Sequence, residues 1–210
     1  MECAWERRRG LLSSEISAAC CDVVAIQEVA PESFESDWSF MAGLGYDAHL
    51  MFGKKGRFRP ATFWKTSKVS LIDAAHRDRC LLTLFELSDT TKRVVVVNAH
   101  LQAGPEGGRR LRQTLEALEH SKKLFKKAAV PEEEMRVVFC GDLNGEDDSA
   151  AHLLLTSGRV HAGFVRETAR NSADLESGSE TSVRARLERE RERERESVRI
   201  WESVFWRAIL

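Results

Sequence analysis

The 210-residue sequence has no apolar run that approaches the roughly 18 residues a membrane-spanning helix needs. Its first residues, with Arg7, Arg8 and Arg9 in a row, carry no apolar stretch of signal-peptide length. We therefore expect no membrane span and a location in the cytosol or the nucleus.

Cysteine is sparse and unpatterned. The five cysteines form no Cys-x-x-Cys pair, and their odd number leaves at least one unpaired. A disulfide scaffold is therefore not expected. Cys140 ends an apolar run, where a free thiol behaves as a small buried hydrophobe, and this favours a reducing compartment.

Net charge is also nearly absent, at -1, so no overall basic footprint indicates nucleic-acid binding, although a local groove could still bind it. With 42% hydrophobic and 31% charged residues, the chain has the composition of one ordinary globular domain. We place this domain at residues 1–168. Residues 169–210 form a charged low-complexity tail, in which Glu and Arg alternate from Glu188 to Glu196. The tail is interpreted as a solvated segment that packs little against the domain, or as an arm that binds nucleic acid or a partner.

Helical and strand patterns alternate along the domain, which predicts an α/β fold. Apolar residues at helical spacing predict helices over the first twenty residues, 31–44 and 109–128. Runs rich in β-branched residues predict strands at 22–27, between 46 and 73, at 81–87 and 93–98 as a hairpin, and at 136–140.

Three predicted strands end in polar side chains: Glu28 after the first, Asn98 and His100 after the hairpin, and Asp142 and Asn144 after the last. Ligands of α/β sheets gather outside strand ends, so these side chains are expected to share one site. Carboxylates with several waters suit Mg²⁺, which can polarise a phosphodiester for attack by water. Each motif alone also has an ordinary interpretation: a solvated glutamate, a structural histidine, or an Asx-turn after Gly141.

As an ordered set, the motifs resemble the endonuclease/exonuclease/phosphatase superfamily, whose members are similar in fold to pancreatic deoxyribonuclease. Asp22-Val-Val-Ala-Ile-Gln-Glu-Val matches its metal-ligand strand, Val97-Asn-Ala-His-Leu its histidine strand, and Cys140-Gly-Asp-Leu-Asn its aspartate-asparagine turn. The likeness runs from Trp5 to about Val165. It implies two mixed β-sheets packed face to face with helices outside, a four-layer sandwich that is incomplete here.

The resemblance also implies a role for each site residue. Glu28 would bind Mg²⁺, or Mn²⁺ in its place, and His100 would hydrogen-bond the scissile phosphate. Asp142 would orient or deprotonate the attacking water, and Asn144 would hold a phosphate oxygen. Asn98 and Pro105 would contact the substrate, Pro105 beside its base.

Further segments are similar to the branch of carbon-catabolite-repressor-type deadenylases, nocturnin and the angel proteins. They include Trp5-Glu-Arg-Arg-Arg-Gly-Leu-Leu, the stretch from Ala61 to Leu71, and Gly158-Arg-Val. This implies a 3′ exoribonuclease that acts on the 3′ end of RNA, above all poly(A). Two alternatives stay open: a phosphatase or phospholipase acting on a small phosphoester, and a catalytically inactive remnant or binding module.

Two departures from the family pattern favour the last alternative. No strand ending in asparagine stands ahead of the Trp5 helix, and no Asp-His pair follows Asn144; His152 and His161 stand in other contexts. We therefore expect the chain as it stands to be weakly active or inactive.

Overall fold

The computed structural model describes residues 4–52 and 58–160. The proposed boundary at 168, the charged tail and His161 lie outside these residues. The described residues form strands β1 (Val23–Val29), β2 (Tyr46–Leu50), β3 (Arg59–Lys65), β4 (Val69–Arg77), β5 (Cys80–Leu87), β6 (Arg93–His100) and β7 (Val137–Asp142). The helices are α1 (Ala4–Ala19), α2 (Phe34–Asp37), α3 (Phe40–Gly43), α4 (Gly107–Lys127) and α5 (Ala150–Ser157).

The strands form two sheets, which confirms the predicted α/β fold. One sheet has the order β1-β3-β2 and is antiparallel throughout. The other has the order β4-β5-β6-β7 and is mixed, because β6 and β7 are parallel. The predicted hairpin is β5–β6, in which Thr83 pairs with Val96.

Successive side chains of a strand point to opposite faces of its sheet, and this alternation explains how the layers pack. Trp64 of β3, Phe85 of β5 and Val96 of β6 meet between the sheets, and the rings of Trp64 and Phe85 lie 5.4 Å apart. Val95 and Val97 point to the opposite face of β6 and pack against α4. The four-stranded sheet is therefore covered on both faces, by the other sheet and by a helix.

The helix predicted at 31–44 is not continuous, and that prediction is wrong. A 3₁₀ turn (Pro31–Ser33) leads into α2, and Trp38 then leaves the helical conformation at φ -104° and ψ 10° before α3 begins. The ring of Trp38 lies 5.3 Å from that of Phe63 and 5.9 Å from that of Phe40. Residues two apart on a straight helix point roughly 200° away from each other. The break therefore lets Trp38 and Phe40 join one aromatic cluster on the outer face of the three-stranded sheet.

The helix predicted at the start of the chain is confirmed as α1, although its apolar stripe is only partly used. Ile16 is 9% exposed and packs on the three-stranded sheet, whereas Leu11 is 60% exposed. Across residues 4–52 and 58–160, no helix combines the length and apolarity needed to cross a membrane.

Candidate active site

The parallel pairing of β6 and β7 sets His100 directly beside Asp142. The Nε2 atom of His100 lies 3.8 Å from Oδ2 of Asp142 and 3.8 Å from Oε1 of Glu28. The structure thus brings together three side chains from the ends of three strands in two sheets. Both distances are too long for direct hydrogen bonds, so each carboxylate keeps lone pairs for another ligand.

Exposure separates the roles that these three side chains can fill. The side chain of His100 is 16% exposed, while those of Glu28 and Asp142 are 64% and 51% exposed. The histidine therefore forms the floor of the site, and the carboxylates are open to water on either side of it.

Glu28 owes its position to a β-bulge. Ile26 pairs with Ala61 and Val29 with Arg59, so two residues of β1 oppose one residue of β3. Glu28 itself has a left-handed backbone, with φ 58°. Bulges re-aim side chains at strand ends, which accounts for the approach of Glu28 to His100. No glycine in the sequence signals this bulge.

The end of β7 depends on Gly141. Its φ is 124°, and a Cβ atom there would stand 2.0 Å from the carbonyl oxygen of Ala99. Only glycine therefore allows β7 to lie this close to β6 immediately before Asp142.

Asp142 and Asn144 form an Asx-turn that also serves the site. Oδ1 of Asp142 accepts the backbone N–H of Asn144 at 2.8 Å, which leaves Oδ2 to face His100. The side-chain amide of Asn144 donates to the carbonyl of Leu101 at 2.9 Å. An amide group has a second N–H, so Asn144 can brace the loop after β6 and still donate once more.

The predicted substrate contact of Asn98 needs correction, because this side chain is fully buried between the sheets. Its Nδ2 donates to the carbonyls of Ile26 at 3.1 Å and Ala61 at 2.9 Å, and its Oδ1 accepts from Nε2 of Gln27 at 2.8 Å. Asn98 therefore links β6 to β1 and β3 rather than facing a ligand.

The other named residues lie farther along the chain. Pro105 is exposed in the loop between β6 and α4. His152 lies in the first turn of α5, where its backbone N–H donates to the capping hydroxyl of Ser149 at 3.4 Å. The thiol of Cys140 in β7 donates to the carbonyl of Val97 at 3.5 Å, and burial raises the pKa of Cys140 to about 11, so it stays a neutral thiol.

Metal-binding side chains are few at this site. Among the described residues, no group of three or more His, Cys, Asp or Glu side chains could together hold a metal ion. The described residues therefore contain no set of three or four protein ligands of the kind typical of zinc sites. Glu28 and Asp142, both open to water, instead suit a hard cation such as Mg²⁺, which binds one or two carboxylates and keeps several waters.

The sequence also matches a curated protein, the CCR4-Not complex 3′-5′-exoribonuclease subunit Ccr4 of Candida albicans. The two are 24% identical in an alignment 197 positions long, gaps included, which covers 73% of this chain and 25% of Ccr4. The chain thus spans about a quarter of the length of this relative.

Solved structures share the fold. The human nocturnin catalytic domain with bound sulfate is similar at a TM-score of 0.59 and 21% identity, over 73% of this chain and 62% of that domain. ANGEL2, a 2′,3′-cyclic phosphatase crystallised with adenosine-2′,3′-vanadate, is similar at a TM-score of 0.62 and 23% identity, over 74% of this chain and 49% of ANGEL2. At these identities the likeness establishes the fold alone.

The family-level match covers nearly the whole sequence, residues 2–203. Together with the paired sheets and the strand-end site, it shows that the chain belongs to the Endonuclease/Exonuclease/phosphatase family.

Proposed function

We propose that this chain hydrolyses phosphodiester bonds with Mg²⁺ and acts on the 3′ end of RNA, with poly(A) as its preferred substrate. The observation that carries the proposal is the placement of His100 between two water-exposed carboxylates, 3.8 Å from each. A cation binder, a hydrogen-bond donor and a proton acceptor are the groups that attack of water on a phosphodiester requires.

Glu28 would hold the Mg²⁺ ion, with Mn²⁺ as a substitute. When bound, the ion neutralises charge on the phosphate and polarises its phosphorus. Oδ2 of Asp142 is the free oxygen of that carboxylate, because Oδ1 already accepts the N–H of Asn144. Asp142 is therefore placed to orient the attacking water and accept its proton.

Two donors face the phosphate in this scheme. Nε2 of His100, when protonated, donates to a non-bridging oxygen, and the second amide N–H of Asn144 donates to another. As the water oxygen bonds to phosphorus, the bond from phosphorus to the 3′ oxygen of the preceding nucleotide breaks. That oxygen takes a proton from solvent, and the terminal nucleotide leaves as a 5′-monophosphate.

Two relatives support RNA and adenosine as the substrate. Ccr4 is named a 3′-5′-exoribonuclease, and ANGEL2 holds adenosine-2′,3′-vanadate. Exposed Pro105 lies in the loop directly after the histidine strand, where a terminal base can rest against it. We also propose that the protein acts in the cytosol or the nucleus.

The test is release of AMP from oligo(A) by the full chain with Mg²⁺, and we expect slow turnover because no Asp-His pair follows Asn144. Asp142→Asn and Glu28→Gln should each lower the rate by about 100-fold, the usual contribution of such groups. Asp147→Asn is the matched control, because Asp147 is exposed in the next loop. Turnover that survives Asp142→Asn would refute the assigned site.

A phosphatase acting on a small phosphoester is the second candidate, since the family description includes phosphatases and ANGEL2 is one. Release of inorganic phosphate from soluble phosphoesters, without AMP from oligo(A), would favour it. A chain that binds Mg²⁺ through Glu28 but turns over neither substrate would be an inactive binding module.

A further inference from the structure

The loop between β6 and α4 is held through its backbone by two side chains of α4. The N–H of Gln102 donates to Oε1 of Gln113 at 2.9 Å, and its carbonyl accepts from Nη1 of Arg110 at 3.1 Å. Residues three apart on a helix share one face, so Arg110 and Gln113 reach the same loop residue together. Both backbone polar groups of Gln102 are thereby satisfied by a single helix.

Arg110 extends this hold along the loop and lies against the next loop. Its Nη1 also donates to the carbonyl of Gly104 at 2.6 Å, directly before Pro105. On its other side, a Cβ atom at Gly145 would stand 3.5 Å from Nε of Arg110. The guanidinium therefore lies between the loop that follows His100 and the turn that follows Asn144.

Gln113 connects the same network to the floor of the site. It is 2% exposed, and its Nε2 donates to Oδ2 of Asp78 in the turn between β4 and β5 at 2.6 Å. The next residue in that turn, Arg79, accepts the backbone N–H of His100 at 3.0 Å. Gln113 and the backbone of His100 thus bind adjacent residues of the turn between β4 and β5.

We propose that Arg110 is a positioning residue that sets the distance between the two loops that receive the terminal nucleotide, one carrying Pro105 and the other Asn144. The part that concerns the nucleotide rests on the proposed function, whereas the coupling of the two loops does not. Arg110 touches no reacting atom; it acts by keeping the loops in a binding geometry before the substrate arrives.

The structure identifies which atoms of Arg110 matter. One nitrogen, Nη1, makes both loop hydrogen bonds, and Nε is buried without a partner among the described residues. A lysine ammonium has three donors on one nitrogen and can replace Nη1. A methionine can fill the space of the aliphatic stem but is two atoms shorter and has no donor.

The experiment compares Arg110→Met, Arg110→Lys and the control Arg112→Met in the full chain, since Arg112 is exposed on the same helix. Hydrogen–deuterium exchange is followed for residues 101–106 and 142–149, and KM and kcat are measured on oligo(A) with Mg²⁺. Arg110→Met should accelerate exchange in both loops and raise KM about tenfold with kcat changed much less, because positioning of the bound nucleotide is lost. Arg110→Lys should keep the loop exchange rates and KM close to those of the parent chain. Arg112→Met should change neither the exchange rates nor KM.

Exchange that accelerates only in 101–106, or a lysine variant as impaired as the methionine variant, would overturn the proposal. A fall in kcat as large as the rise in KM would also overturn it, and so would faster exchange across the whole domain. Either result would indicate a general structural role. If the parent chain releases no AMP, the proposed function fails, and the exchange measurements alone still decide whether Arg110 couples the loops.

Discussion

The two sheets contribute unequal support to one site. In the four-stranded sheet, Val95 and Val97 of β6 are fully buried beneath α4. In the three-stranded sheet, β1 lies at an edge, and its residues from Val23 to Gln27 are only half-buried. His100 extends from the covered central strand β6, whereas Glu28 extends from the exposed edge strand β1.

This difference shows that the geometry of the site depends on contacts between the sheets. Asn98 supplies the polar link, because its amide bonds to the carbonyl of Ile26 and to the side chain of Gln27, next to Glu28. Loss of support should therefore move Glu28 before it moves His100.

The largest effect is expected from Gly141→Ala, which acts on the better-supported sheet. A Cβ would meet the carbonyl oxygen of Ala99 at 2.0 Å, and φ 124° is strained for any side chain. We expect urea denaturation to show a loss of at least about 3 kcal/mol in the free energy of unfolding. Gly158→Ala is the control, because Gly158 has φ 69° and nothing within 4 Å, so only the backbone cost of about 1 to 2 kcal/mol remains. Equal losses of unfolding free energy in the two variants would show that the close approach of β6 and β7 adds nothing to the cost of Gly141→Ala.

A matched pair of valines compares the sheets directly. Val97→Ala in β6 removes a fully buried side chain and should cost about 2 to 3 kcal/mol in the free energy of unfolding. Val24→Ala in β1 removes a half-buried one and should cost less than about 1 kcal/mol. Chemical denaturation of the two variants measures the difference, and a larger loss for Val24→Ala would reverse the ranking of the sheets.

Asn98→Ala should uncouple the sheets. The change removes the hydrogen bonds that Asn98 donates to the carbonyls of Ile26 and Ala61 and the one it accepts from the amide of Gln27, at a cost of about 1 to 3 kcal/mol. Hydrogen–deuterium exchange should accelerate in β1 more than in β6. Thr83→Val is the control, because Thr83 is also fully buried but donates within its own sheet, to Val96 at 3.3 Å. The same exchange pattern in both variants would argue against a specific link.

The smallest effect concerns the buried thiols, which belong to the four-stranded sheet. Burial raises the pKa of Cys80 to about 12, above the value of 9.0 for an ordinary thiol. A raised folded-state pKa contributes stability that is complete below about pH 9 and is lost as pH rises toward 12. Between pH 8 and 9.5 the free energy of unfolding should therefore fall by about 1 kcal/mol through Cys80. Cys80→Ala should remove that part of the pH dependence, whereas Cys21→Ala, at an exposed position, should leave it intact.

Strand ends and their polar residues could be predicted from the sequence because apolar β-branched runs stop abruptly before Glu28, His100 and Asp142. The break at Trp38 could not, since residues 31–44 keep a helical apolar period and only packing on Phe63 favours the kink. The burial of Asn98 could not be predicted from the sequence pattern either. An asparagine near a strand end suggests ligand binding equally well, and its place between two sheets depends on strands distant in sequence.

By itself, the sequence determined the α/β class and the polar residues that follow three of its strands, because these features depend on local periodicity and residue chemistry. Only the tertiary structure decided that a bulge turns Glu28 toward His100, that Asn98 joins the sheets, and that Arg110 and Gln113 hold the loop after β6. These features depend on contacts between residues many positions apart, which only the packing of the two sheets and α4 brings into range.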